Sequence, residues 1–265
     1  MIFVKELKNK KFTKAHSDYP MCLPFMNQFS SMKFTHDITI LTGDNGSGKT
    51  TLLEIIACLL SANRVSYNLL ESDKQKQIAS SSRHFTIASN GRAKSNFYFS
   101  GEEFIQYIQW VEREKQEAHK ALIEIEEEYG DNTYAKALAR TPHLRTLGEF
   151  DYLHASNLAK QSHGQGYLDF FSNRLQEHGL YLLDEPESAL TYENQYVLSL
   201  EIREALKMGC QFIIATHSPI ITAIPEAQIL EISDQGITES TYDQLDNIRF
   251  LKMFLSSPQR MFRES

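Results

Sequence analysis

Cysteine is scarce in this chain. Its 265 residues include three, Cys22, Cys58 and Cys210, far apart and with no CxxC pair. That excludes a disulfide-built scaffold and a cysteine zinc site, and it suits a reducing compartment. Long apolar runs are lacking as well. The longest, around 52–60, carries Glu54 and falls short of the roughly 20 residues that a membrane helix needs. The opening residues, Met1 to Glu6, hold no signal-peptide apolar region. Positive charge is not in excess: 27 Lys and Arg stand against 34 Asp and Glu, a formal net charge of −7. A protein that grips nucleic acid by bulk positive charge is thereby excluded, though a local basic patch is not. A GxSxG turn, an HExxH helix and a Cys–His pairing are all missing. His16, His36, His84, His119, His143, His154 and His178 are scattered without ligand spacing. What remains, 42% hydrophobic and 23% charged residues, is the balance of a globular protein with a real core, expected to be cytoplasmic.

Strand-like apolar runs occur at 2–4, 38–42, 85–88, 97–99, 180–184, 211–215 and 228–232. Helical spacing appears between several of them: Leu53, Ile56 and Leu60 share one face, and 191–208 and 245–255 read as further helices. Strands alternating with helices predict an α/β fold with a mainly parallel central sheet flanked by helices. The stretch 101–175 reads as purely helical. It is expected to be a subdomain inserted into a core made of 1–100 and 176–265. The acidic run Glu124-Ile125-Glu126-Glu127-Glu128 suits a solvated helix face. Aromatic patches near 97–104 and 167–171 suit a core better than a base-stacking platform.

Two motifs carry chemistry. Gly43-Asp44-Asn45-Gly46-Ser47-Gly48-Lys49-Thr50 fits GxxxxGK[ST] in full, after an apolar strand and before a helix. Such glycines let backbone N–H groups turn inward around phosphate oxygens, and the helix adds its positive end. Asn45, Gly46, Ser47, Gly48, Lys49, Thr50 and Thr51 are therefore the expected nucleotide contacts. Lys49 would reach the β- and γ-phosphates, and Thr50 would offer a hydroxyl to Mg²⁺. The second motif, Leu180-Tyr181-Leu182-Leu183-Asp184-Glu185-Pro186, reads as a buried parallel strand ending in two acids. Ligands of open α/β sheets lie beyond the carboxyl ends of the strands. Asp184 is thus expected in the metal shell, and Glu185 is placed to polarise a water.

Further segments narrow this reading. Gln161-Ser162-His163-Gly164-Gln165 resembles a degenerate LSGGQ signature of ABC-type ATPases. Ser188-Ala189-Leu190-Thr191 resembles their D-loop, and Ala215-Thr216-His217-Ser218-Pro219 their switch-histidine segment. The order of motifs is the family order. Within that superfamily the chain resembles the stand-alone predicted ATPases related to RecF and SMC heads, on those segments, on 181–187 and on the closing Pro258-Gln259-Arg260-Met261. The continuation Gly166-Tyr167-Leu168-Asp169-Phe170-Phe171 departs from the Gln- and Arg-rich helix of transporter ATPases.

The resemblance implies Mg²⁺-dependent ATP hydrolysis in a homodimer that sandwiches two nucleotides. Ser162, Gly164 and Gln165 of one copy would meet the γ-phosphate held by the other, and His217 would help hold Glu185 and the water. The output would be a switch or mechanoenzyme acting on nucleic acid or a partner protein. Alternatives are the energising subunit of a membrane importer, with a permease partner, and a nucleotide-gated interaction module without significant turnover. For the adenine-stacking aromatic, Tyr19 and Phe25 are candidates; both also suit a core. No glutamine follows the 97–99 strand where the family's Q-loop would lie, and Glu102 or Glu103 is the available stand-in.

Overall fold

Most of the apolar runs become strands, and the strands form two sheets. The computed structural model describes residues 2–10, 19–64, 73–129, 133–152 and 163–262. In chain order the strands are β1 (Val4–Asn9), β2 (Ser31–Lys33), β3 (Ile38–Gly43), β4 (Asn63–Arg64), β5 (Phe85–Ser89), β6 (Asn96–Ser100), β7 (Leu180–Asp184), β8 (Gln211–Ala215), β9 (Gln228–Ser233) and β10 (Gly236–Ser240). The helices are α1 (Lys49–Leu59), α2 (Asp73–Ser82), α3 (Gly101–Tyr129), α4 (Thr133–Tyr152), α5 (His163–Ser172), α6 (Tyr192–Lys207), α7 (Pro219–Thr222), α8 (Asp246–Ser256) and α9 (Pro258–Met261).

The central sheet has seven strands in the order β10-β9-β3-β8-β7-β6-β4. Only the β9–β10 pair is antiparallel. This is the α/β class with a mainly parallel sheet that the sequence predicts. Every residue of β7 and β8 is buried, because helices cover both faces of a parallel sheet and its strands are apolar throughout.

The expected strands at 2–4 and 85–88 do not join this sheet. As β1 and β5 they pair with β2 in a separate antiparallel sheet, order β2-β1-β5. The apolar residues of β1 stop at Val4 and resume only at Leu7, between Lys5, Glu6 and Lys8. A register shift between Val4 and Glu6 breaks the alternation, so Val4 and Leu7 are both buried while Lys5 and Lys8 stay exposed, and β1 extends beyond the run that marked it.

Between β6 and β7 the described residues form α3, α4 and α5. Helices α3 and α4 pack together. Glu126, from the acidic run, accepts from Arg140 Nη1 at 2.9 Å and is also paired with Lys136, so part of that run faces α4. Helix α5 is fastened to the sheet by aromatic rings. Phe99 of β6 lies 4.8 Å from Tyr167, 5.6 Å from Phe104 and 5.5 Å from Phe170 between centroids. Phe99, Phe104 and Tyr167 are at most 1% exposed, and each such side chain stabilises the fold by about 1.5–3 kcal/mol. The two aromatic patches are therefore core.

Candidate active site

Strand order explains how distant motifs meet. β8 lies between β3 and β7, and Ala215 pairs with Leu41 on one side and Asp184 on the other. The chain leaves the sheet after Gly43, Ala215 and Asp184 at neighbouring points of the carboxyl edge, where open α/β sheets bind ligands. The phosphate-loop motif, the histidine segment and the acidic pair thus share one rim.

Two loop glycines are required by geometry. Gly43 has φ 141°, and a Cβ there would stand 2.2 Å from the Ile232 carbonyl oxygen. Gly48, the cap of α1, has φ 103°, and a Cβ would stand 2.3 Å from Phe25 Cε1. Both conformations favour glycine and both approaches exclude a side chain. The first amides of α1 have no intrahelical partner and sit at its positive end. Ser47 Oγ is buried with no hydrogen-bond partner, an orphan that a phosphate oxygen would satisfy. Lys49 is 4% exposed. Its Nζ donates to the carbonyls of Gly43 at 2.9 Å and Asp44 at 2.8 Å. Burial lowers its pKa, while the carboxylates of Glu185 and Asp184 work against that.

A cleft of about 280 Å³ opens above the loop. Tyr19, Leu23, Gly46, Gly48, Lys49, Thr50, Thr51, Lys74 and Glu185 line it. The Tyr19 hydroxyl is 2.7 Å from Thr51 Oγ1, which ties the aromatic candidate to the loop. Phe25 is not such a candidate in the structure. It is 1% exposed and lies edge-on to Phe29, a core ring wedged under Gly48. Asn45 is exposed at the loop tip. Nothing in the sequence marks Leu23 or Lys74 as lining residues; Lys74 sits on the polar helix α2, whose pattern signals no ligand.

Thr50 Oγ1 donates to Asp184 Oδ1 at 2.9 Å, and the Tyr98 hydroxyl donates to Asp184 Oδ2 at 3.1 Å. This hydroxyl–carboxylate pair is all oxygen, which fits a hard cation such as Mg²⁺. Tyr98 lies on β6 at the register two positions before Asp184, a diagonal neighbour in the ladder. Burial pushes the Asp184 carboxyl up to about 7, against the two hydrogen bonds that lower it.

A stability effect follows. Below its ordinary value of 3.8 the carboxyl is protonated folded or unfolded. Between there and about 7 only the folded state keeps the proton. Stability therefore falls as pH rises through that window and stays reduced above it. Asp184→Asn, which cannot ionise, is expected to melt several degrees above wild type at pH 8 without divalent cation, with the gap closing near pH 4, a difference of roughly 2–4 kcal/mol. Calorimetric melts across pH check this; equal melting at pH 8 would contradict it.

Glu185 holds a left-handed backbone, φ 45° and ψ 52°. Its N–H donates to the Ala215 carbonyl at 2.8 Å, and its own carbonyl accepts from Ser188 N and Oγ. The side chain is about half exposed and lines the cleft. His217 Nε2 lies 3.9 Å from Glu185 Oε1 and has no hydrogen-bond partner. Burial lowers the His217 pKa and the Lys49 charge lowers it further, while Glu185 raises it. Helix α3 starts against this turn: a Cβ on Gly101 would be 2.4 Å from the Glu185 carbonyl oxygen.

The two Q-loop stand-ins are not brought to the cleft. Glu102 accepts from Gln106 Nε2 at 3.1 Å on the surface, and Glu103 faces Arg64 at 3.8 Å. Neither lines the cleft, because β6 runs directly into α3 and turns both away. In the signature-like segment, Ser162 lies outside the described residues. Gly164 and Gln165 are in the first turn of α5. Gly164 is buried, and a Cβ there would stand 2.3 Å from Asn194 Nδ2; it lets α5 approach the start of α6 closely.

Comparison with known proteins agrees with the phosphate loop. Residues 25–73 match the P-loop containing region of AAA domains. Over 207 residues, 77% of this chain, the sequence is 28% identical to the macrolide export ATP-binding/permease protein MacB of Mannheimia succiniciproducens. The match spans 30% of that protein's length. Among solved structures, a nucleotide-free ATP-binding cassette from an ABC transporter overlays with a TM-score of 0.47 at 14% identity, covering 96% of each chain. The Smc head domain of Pyrococcus furiosus, bound to the C-terminal domain of ScpA, overlays with a TM-score of 0.39 at 10% identity, covering 96% of this chain and 100% of that one. Among the described residues no helix is long and apolar enough to cross a membrane.

Proposed function

We propose that this chain is a Mg²⁺-dependent, ABC-type ATPase whose ATP-bound form pairs two copies. The observation that carries the reading is the Thr50–Asp184 hydrogen bond. It joins the end of the phosphate loop to the acidic strand end beside Lys49 and Glu185. Bound Mg²⁺ would be held by Thr50 and Asp184 and would neutralise charge on the phosphates. Lys49 neutralises the remainder and exchanges its carbonyl partners for phosphate oxygens. Glu185 accepts a proton from the attacking water, and His217, 3.9 Å away, stands over the same space. Catalysis here is positioning and charge compensation. Residues 101–175 act as an inserted helical subdomain. Ser162, Gly164 and Gln165 would meet the nucleotide of the other copy, and the N-terminus of α5, where Gly164 and Gln165 lie, would add its positive end.

The output we favour is a cytoplasmic switch or mechanoenzyme acting on nucleic acid or a partner protein. Its support is the aromatic continuation of the signature segment, which docks in the core. A second reading, the energising subunit of a membrane permease, is favoured by the likeness to an ATP-binding/permease protein. A phosphate-release assay tests the shared chemistry. Slow, Mg²⁺-dependent release that rises more steeply than protein concentration is expected, because each site needs two copies. Release independent of Mg²⁺, or none, would defeat the ATPase reading, and strict proportionality would defeat the shared site.

A further inference from the structure

We propose that Glu187 is a positioning residue for His217: its carboxylate bridges the turn after the acidic strand to the segment after β8 and so aims the imidazole at Glu185. The inference rests on the ATPase reading above for its catalytic meaning, and on the free protein for its geometry. Both oxygens are engaged. Oε1 accepts the His217 backbone N–H at 2.6 Å, and Oε2 accepts the Thr216 hydroxyl at 2.7 Å. Thr216 Oγ1 in turn accepts the Ser218 N–H at 2.9 Å. One side chain thus organises polar groups of three successive residues.

The need arises where the sheet stops. The ladder between β3 and β8 ends at Ala215, and Thr216 N–H still reaches the Leu41 carbonyl at 3.1 Å. The next amide, that of His217, is past the strand and requires another acceptor. Glu187 supplies it from a turn that is itself closed by the Leu190 N–H to Glu187 carbonyl bond at 2.9 Å. Behind the segment, Ser218 Oγ donates to Gln195 Oε1 at 2.7 Å and caps α7. The segment is thus held from both sides with His217 Nε2 3.9 Å from Glu185 Oε1. Glu185 and Glu187 stand on the same turn, so one short element carries the water-directing carboxylate and the clamp for its partner. Glu187 has both oxygens engaged by Thr216 and His217, so it acts through His217 and not on nucleotide. Two acceptor oxygens are required, and a glutamine retains only one.

The test uses the full chain carrying Glu187→Ala, Glu187→Gln, His217→Ala, and the Ala–Ala double substitution. In nucleotide-free protein, amide hydrogen exchange at His217 is expected to be at least about tenfold faster in Glu187→Ala than in wild type. In steady-state assays kcat should fall about 10–100-fold, the scale of an ångström-sized misplacement. The KM for ATP should stay within about threefold, and Glu187→Gln should lie between. The double variant should be no slower than His217→Ala alone, because both changes remove the same interaction. Unchanged exchange at His217, or a double variant slower by the product of the two single effects, would overturn the proposal. A wild-type protein without ATP turnover would sink the ATPase reading and leave the exchange result to decide the clamp.

Discussion

Lys49→Ala is expected to eliminate ATP binding in a calorimetric titration while the protein stays folded. The ammonium is buried under the phosphate loop and bonded to carbonyls of its own turn. Those carbonyls are neutral acceptors, so a phosphate can displace them, and charge-assisted bonds to an anion are about twice as strong. Without the ammonium, the loop amides face up to four phosphate charges with only the helix end and the metal to oppose them. A loss of at least about 100-fold in affinity is expected. Stability should change little. Desolvation is the main cause of the lowered Lys49 pKa, and relief of that cost offsets the loss of the bonds to the Gly43 and Asp44 carbonyls. The combination of lost binding with a nearly unchanged melting temperature separates a site defect from misfolding. Wild-type affinity in the variant would contradict the assignment of the phosphate loop.

Glu185→Gln should leave nucleotide binding intact, lower turnover by about 10²–10⁴-fold, and accumulate a nucleotide-loaded dimer. The substitution keeps shape and size while removing the base. The backbone of this residue is held in a left-handed conformation by bonds that do not involve the side chain, so the local fold should survive. Light scattering at saturating Mg²⁺-ATP reads the mass, and single-turnover kinetics read the chemical step. Persistence as a monomer would refute the two-copy site. Unaltered turnover would move the base to another group, with His217 the nearest alternative.

The legible part of this site is the part whose chemistry sits in consecutive residues. Gly43 to Thr50 spells out a phosphate loop because turn, glycines, lysine and hydroxyl must follow one another. Asp184 and Glu185 are legible because a buried apolar strand ends on them. The partners that tune these groups are not, because the ladder register selects them. Tyr98 reads as one aromatic in an aromatic run until β6 is laid beside β7. Glu187 belongs to a recognisable motif, yet its task depends on where β8 ends. Tyr19 and Phe25 are equivalent in sequence, and only the packing under Gly48 sends one into the core and leaves the other at the cleft. The small antiparallel sheet was hidden by the charges of β1, and β4, with two residues, is too short to carry a pattern.

The junction at Gly101 has a mechanical consequence. Helix α3 has 29 residues, which at 1.5 Å per residue makes a rod roughly 44 Å long. Its root lies against the main chain of Glu185, the residue proposed to direct the water. Tilting that rod by roughly 5° about its root carries the far end through about 4 Å, on the rise per residue just used. Phe104, Ile108 and Val111 seat the first turns of that rod in the core, so a shift of the Glu185 turn large enough to tilt α3 would have to repack them, and its size would be read at the distal tip.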